Sequence, residues 1–277
     1  METNPNSAKF VYFGTPYVAR DTLAILIERG FIPELVVTSP DAPRGRGLTL
    51  TPSETRVLAE THGIPVITPE NLTPEVVEEI TSRGCVAGIC VAYGKILPRA
   101  LIDAFPLGIL NIHYSLLPKY RGASPVEGAL LHGETVTGVS IQKMVFKMDA
   151  GDILAQKEVA IIPTETTREL RPRLVTIGAE LLATILPEFF AGAMLSTTQD
   201  ESKATHSGKI DKSEGELDLD GDQQLNWNKY RAYAEGPGTY FFKDGKRIKI
   251  KTAAFNNGKF VPLRVVPEGK NETDWVG

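Results

Sequence analysis

Lys9 to Gly30 reads KFVYFGTPYVARDTLAILIERG, and two periodicities meet inside it. From Phe10 to Phe13 every position is apolar, as suits a strand covered on both faces. Beyond Gly14 the apolar spacing lengthens to that of a helix. Thr15 is placed to cap that helix, Pro16 to occupy its first position and Gly30 to end it. A buried strand running straight into a capped helix is the repeating unit of a parallel α/β sheet.

The pattern recurs downstream. ELVVTS, from Glu34, reads as a second strand. TPSETRVLAETHG then offers Thr51 and Glu54 as a capping box and Gly63 as a stop. PVIT is a short third strand, and TPEVVEEITSRG repeats the Thr-Pro start and Gly stop. CVAGICVAY and GILNIH follow as further strands, and Ser124, Pro125 and Glu127 box the start of another helix. TGVSIQKMVF and DILAQKEVAII alternate as a hairpin would, joined by KMDAG, and residues 164–194 are helical in period with Pro172 inside. The fold class is therefore α/β, a Rossmann-like, doubly wound, mostly parallel sheet.

After Met194 the texture changes. LSTTQDESKATHSGKIDKSEGELDLDGDQQ is poor in apolar residues and rich in turn formers, so residues 195–210 read as a linker. The remainder, 211–277, reads as a short helix and β-hairpins with turns at Asp244-Gly245 and Asn257-Gly258. Residues 1–194 then form a large domain and 211–277 a small β domain. Arg247, Lys249 and Lys251 alternate with Ile248 and Ile250, so the cations share one strand face and the isoleucines the other.

Composition narrows the function classes. At 277 residues, with 42% hydrophobic and 23% charged residues, the chain can bury a sizeable core, and a net charge of -4 gives no overall pull toward nucleic acid. Cys85 and Cys90 share one apolar strand and read as reduced core thiols, and METNPNSAK carries no apolar signal core. A cytoplasmic protein is expected. Four scattered histidines do not make zinc-ligand spacing, FGTP lacks the glycines of a dinucleotide fingerprint, and neither a P-loop nor a G-x-S-x-G elbow is present.

The chemistry-bearing stretch is NIHYSLLPKYRGASP, Asn111 to Pro125. Asn111 and His113 lie two apart, on one face of a strand, near its carboxyl end, where α/β sheets place their sites. Such a pair is either a hydrogen-bonded structural feature or half of an active site. Asn can donate to a developing oxyanion and His can exchange a proton. Asp149 in the KMDAG turn is the best carboxylate to accompany them, with Asp152 the competitor.

Taken together, NIHYSLLPKYRGASP and TGVSIQKMVFKMDAGDIL resemble the signature of the folate-dependent formyltransferases. FGTPYVA, SPDAPRGRGLTLTPSETRVLA and CVAYGKILP extend the likeness over nearly the whole amino-terminal domain. The resemblance implies that Asn111, His113 and Asp149 are catalytic and that 10-formyltetrahydrofolate is the donor, with no metal. It implies folate contacts at Tyr93, Gly94, Ile96, Leu97 and Met144, and at the Ser115-Leu116-Leu117-Pro118 turn. The small domain, expected to be a shortened OB-type version, is similar to the family's tRNA-binding β-barrel, which implies initiator methionyl-tRNA as acceptor and a monomeric enzyme. Arg44 and Arg46 in the PRGRG loop, with Arg247, Lys249 and Lys251, would then meet its phosphates. The alternatives are an N-formyltransferase for nucleotide-linked amino sugars and a non-catalytic RNA-binding protein on the same scaffold.

Overall fold

The computed structural model describes residues 8–44 and 47–276. In chain order the first elements are β1 (Phe10–Gly14), α1 (Tyr17–Glu28), β2 (Leu35–Val37), β3 (Ala42–Arg44), β4 (Thr49–Thr51), α2 (Glu54–Thr61), β5 (Val66–Ile67) and α3 (Pro74–Thr81). Next come β6 (Ala87–Val91), α4 (Arg99–Ile102), β7 (Ile109–His113), α5 (Pro125–Leu131), β8 (Val136–Lys143), β9 (Ile153–Ala160) and α6 (Thr167–Phe190). The last are α7 (Gln223–Ala232), β10 (Tyr240–Lys243), β11 (Lys246–Asn256), β12 (Lys259–Pro267) and β13 (Thr273–Asp274).

Seven strands form one sheet in the order β5-β2-β1-β6-β7-β8-β9. The first five in that order are parallel, and β8 and β9 continue antiparallel. Strand order reverses between β1 and β6, which opens a crevice at their carboxyl ends. The continuous apolar runs have the expected cause, because both faces are covered. Phe10 and Tyr12 join one core with α1 and α6, while Val11 and Phe13 join the other with Ile80 of α3 and Leu101 of α4.

Helix starts depart from the sequence expectation in three places. Thr15 does not cap α1, whose N-cap is Pro16. Its hydroxyl instead donates to the Tyr93 carbonyl at 3.1 Å, tying the loop after β1 to the loop after β6. Ser53, not Thr51, caps α2, accepting from the Arg56 amide at 3.0 Å. Ser124 makes no side-chain cap on α5, and the buried Glu127 carboxylate meets Arg171 of α6. A side chain drawn to a tertiary partner is lost to its own helix end, and local spacing does not reveal that. Thr73 and Pro74 do open α3 as read. The basic loop also holds a small hairpin, β3 against β4.

The segment read as a linker is docked. Ile153 and Thr197 exchange two backbone hydrogen bonds, each 2.8 Å, at the outer edge of β9. Farther on, the Arg121 amide donates to the Thr205 carbonyl and the Ser207 amide to the Arg121 carbonyl, both at 2.8 Å. Residues 197–207 thus strap the loop that follows β7.

In the C-terminal part, β10-β11-β12-β13 form an antiparallel sheet. Its core is Leu217, Trp227, Phe241, Ile248, Ile250, Phe260 and Val265. Asp244 and Gly245, and likewise Asn257 and Gly258, have positive φ, as two-residue hairpin turns of this hand require. Contacts with α5 and α6 tie this part to the rest of the chain: Asn228 of α7 donates to the Leu131 carbonyl of α5, and Arg171 of α6 bridges Glu127 and Glu235. No helix among the described residues is long and apolar enough to cross a membrane.

Candidate active site

β7 brings the opening pair to the sheet's carboxyl end. Ile109 belongs to one core while Leu110 and Ile112 belong to the other, so Asn111 and His113 share the face of Ile109. On the next strand Gln142 pairs with Asn111 and Ser140 with His113, which places all four side chains on that face. Asn111 is half-buried and its amide has no hydrogen bond to another group among the described residues. Cys90 flanks it from β6, and burial pushes that thiol up to about 12.

His113 is 5% exposed. Its Nε2 lies 2.8 Å from the Tyr120 carbonyl oxygen. A carbonyl can only accept, so Nε2 carries a hydrogen. Nδ1 faces Asp149 Oδ2 at 3.7 Å, beyond direct hydrogen bonding but close enough for an ion pair when the ring is charged.

Asp149 sits in the β8–β9 turn with φ of 50°, in the left-handed region that side-chain-bearing residues seldom adopt. Two donors fix its carboxylate. The Gly122 amide reaches Oδ2 at 2.8 Å, and Gln142 Nε2 reaches Oδ1 at 2.8 Å. Asp152 lies past the turn; its carboxylate accepts from Ser196 at 3.3 Å and plays no part in this cluster.

Beside Asp149 opens a cleft of about 160 Å³. Ile96, Leu97, Ile102, Met144, Phe146 and Met148 supply apolar walls, and Gln142 and Asp149 a polar side. Lys95 also borders it, but its ammonium is held by the Pro69 and Glu70 carbonyls at 2.6 and 2.7 Å. Of the expected folate contacts, Ile96, Leu97 and Met144 line this cleft. Tyr93 is buried and does not line it, and burial pushes its hydroxyl up to about 12. Gly94, at φ of 80°, turns the chain between them. The Ser115–Pro118 turn does not line the cleft. Ser115 Oγ donates to the Lys119 carbonyl at 2.6 Å, and Ser140 Oγ accepts from the Leu117 amide at 3.0 Å while donating to the Ser115 carbonyl. Leu116 packs on Gly138 of β8, and Pro118 accepts the Thr205 amide.

Several residues of this cluster escaped the sequence reading. Gln142 was legible as the neighbour of Ser140 at period two on a strand facing Asn111. Phe146 and Met148, each 67% exposed, are apolar residues in a turn where polar ones are the rule, and that was a usable signal. Gly122 and the buried Arg121 carry none.

The cations are placed apart from this cleft. Arg247, Lys249 and Lys251 are exposed along β11 and, with Arg168 and Lys212, line a second cleft of about 680 Å³ near the start of α6. Arg44 ends β3, and Arg46 lies outside the described residues. A third cleft, about 700 Å³, lies on the C-terminal part around Asp218 and Trp275, and none of the β7 cluster lines it.

The sequence profile of the family described as formyl transferase matches residues 9–186. A methionyl-tRNA formyltransferase from Geotalea daltonii is 39% identical over 263 residues, covering 95% of this chain and 84% of the relative. In fold, the chain is similar to the methionyl-tRNA formyltransferase of Clostridium thermocellum, with a TM-score of 0.63, 15% identity and coverage of 97% and 100% of the two chains. It is also similar to the N-formyltransferase of Helicobacter canadensis, solved with folinic acid and dTDP-3-aminofucose, with a TM-score of 0.67, 17% identity and coverage of 92% and 95%. With the profile spanning the β7 strand and its turn, and such identity over most of both chains, this chain belongs to the formyl transferase family, among its methionyl-tRNA formyltransferases.

Proposed function

We propose that the chain transfers a formyl group from 10-formyltetrahydrofolate to the α-amino group of initiator methionyl-tRNA, giving the N-formylated tRNA used to begin translation in the cytoplasm. The observation that carries this reading is Asp149, which lines the apolar cleft and faces His113, with Asn111 paired to the cleft-lining Gln142 on the same strand face. The cleft fits a flat ring system, with Leu97 and Met144 on its walls, while the backbone amides of Ile96 and Leu97 enter no backbone hydrogen bond among the described residues. Bound there, the donor supplies an activated formyl carbon on a nitrogen leaving group.

The residues divide the work by chemistry. Asn111 donates its amide hydrogen to the formyl oxygen as negative charge develops there. His113 has committed Nε2–H to Tyr120, so Nδ1 is the atom that takes the proton from the attacking amine. The imidazolium so formed lies against the Asp149 carboxylate, which Gly122 and Gln142 hold in place. Proton return from Nδ1 to the departing nitrogen completes the exchange.

The acceptor reading rests on the methionyl-tRNA relatives and on the cationic face of β11, whose Arg247, Lys249 and Lys251 suit a phosphate backbone. Arg44 and Arg46 would meet the acceptor end. The test is formylation of charged initiator tRNA by the parent chain and by Asn111→Ala. A loss of about 10²–10³ in kcat is expected for a missing oxyanion donor; an unchanged kcat would remove Asn111 from the chemistry.

A further inference from the structure

Asp149 is held from two sides, and the second side comes from far away in sequence. The strap delivers Gln199, only 6% exposed, behind the β8–β9 turn. Gln199 Nε2 donates to the Asp149 carbonyl at 2.9 Å and to the Gly151 carbonyl at 2.7 Å. Its Oε1 accepts from Arg121 Nε at 3.1 Å and Nη2 at 2.8 Å. Both donors and both lone pairs of the amide are thus used, and its orientation is forced: turned over, it would face its NH₂ to a guanidinium and its oxygen to carbonyls.

Arg121 completes the clamp. Its side chain is 1% exposed, and its Nη2 and Nη1 also reach Glu201 at 2.9 and 3.1 Å, where Lys147 of the β8–β9 turn binds at 2.8 Å. Its two chain neighbours touch the reacting pair directly. The Tyr120 carbonyl holds His113 Nε2, and the Gly122 amide holds Asp149 Oδ2. One buried side chain therefore sits between the groups that orient His113 and Asp149, and the strap locks that side chain.

We infer that Gln199, clamped by Arg121, is a positioning residue for Asp149. It holds the left-handed turn so that the carboxylate faces Nδ1 of His113. The inference rests on the catalytic reading of Asp149. Gln199 does not itself line the cleft, and its further contact, Nε2 to Gln142 Oε1 at 3.4 Å, supports the residue that holds the Asp149 carboxylate, so its effect falls on turnover and not on substrate affinity. Losing an outer hydrogen-bond partner that orients a reacting group typically costs about 10–100-fold in activity.

The experiment is a double-mutant cycle on the full chain, read as kcat and KM for formyl transfer to methionyl-tRNA. Gln199→Leu, similar in size but without hydrogen bonds, is made alone and together with Asp149→Asn. The expected result is a kcat lowered about 10–100-fold by Gln199→Leu with both KM values within about two-fold. In the Asp149→Asn background the same change should alter kcat by less than about two-fold, because the group it positions is already gone. If Gln199→Leu does not fold, the nearly isosteric Gln199→Met, likewise without hydrogen bonds to the turn, takes its place. An equal loss in both backgrounds, or no loss of kcat in either, overturns the inference while leaving Asp149 catalytic. A parent chain indifferent to Asp149→Asn overturns this inference and the catalytic reading together.

Discussion

Cys90 and Asn111 face each other across β6 and β7, one buried, the other half-buried at the mouth of the cluster. Burial pushes the Cys90 thiol up to about 12 and raises that of Cys85 as well, so neither is a thiolate near neutral pH. Thiol reagents at pH 8 should leave both unmodified in the folded protein and modify both after denaturation; rapid native labelling of Cys90 would contradict the burial. His113→Ala should abolish transfer while leaving the fold intact, since its ring touches the Tyr120 carbonyl and Asp149 but lies outside the two apolar cores. At this scale the sequence was readable where chemistry follows period. Asn111 and His113 share a face because they are two apart, and Asp149 emerged from the matching motif in the next hairpin. Gln199 and Arg121 were unreadable because they meet across 78 residues through side-chain hydrogen bonds, which leave no periodic trace.

The β8–β9 turn and the strap behave as one element. Gly122 has φ of 113°, and a Cβ there would come within 2.6 Å of the Ser207 carbonyl oxygen. Gly122→Ala should therefore push the strap away and displace the amide that holds Asp149. The expected outcome is a lowered Tm together with a lowered kcat, checked by thermal unfolding and steady-state assay. Glu201 gives a pH-dependent handle on the same element. Its hydrogen bonds with Arg121, then with Lys147, hold its carboxyl down from the ordinary 4.5 to about 2. A depressed folded value contributes stability that is present above the unfolded value and lost as pH falls through the folded one. The Tm difference between the parent and Glu201→Gln should thus be greatest above pH 4.5 and vanish as pH approaches about 2. A difference independent of pH would show that the ion pair does not anchor the strap. Strands and long helices were legible here from their apolar period. The caps of α1 and α2 and the docking of 197–207 were not, because each depends on a partner distant in sequence.

At the scale of the whole molecule, the proposed function assigns two sites to one substrate pair. The cleft beside Asp149 and the cationic cleft along β11 are held in one frame by Arg171, which pairs with Glu127 of α5 and with Glu235 beside the C-terminal sheet. Tyr17 of α1 adds a hydrogen bond to the same Glu235 at 2.9 Å. Reversing charge at Lys249 should raise KM for tRNA, leave kcat at saturation nearly unchanged, and reduce the salt dependence of binding by about one phosphate contact. The alternating Arg247–Lys251 pattern made that face readable from sequence, whereas its pairing with Arg168 and Lys212 needed the fold. The most direct measurement sets two acceptors side by side with 10-formyltetrahydrofolate as donor. Charged initiator methionyl-tRNA should be formylated by the parent chain and left unformylated by His113→Ala, and a nucleotide-linked amino sugar should remain unmodified. Formylation of the amino sugar with none on the tRNA would contradict the account.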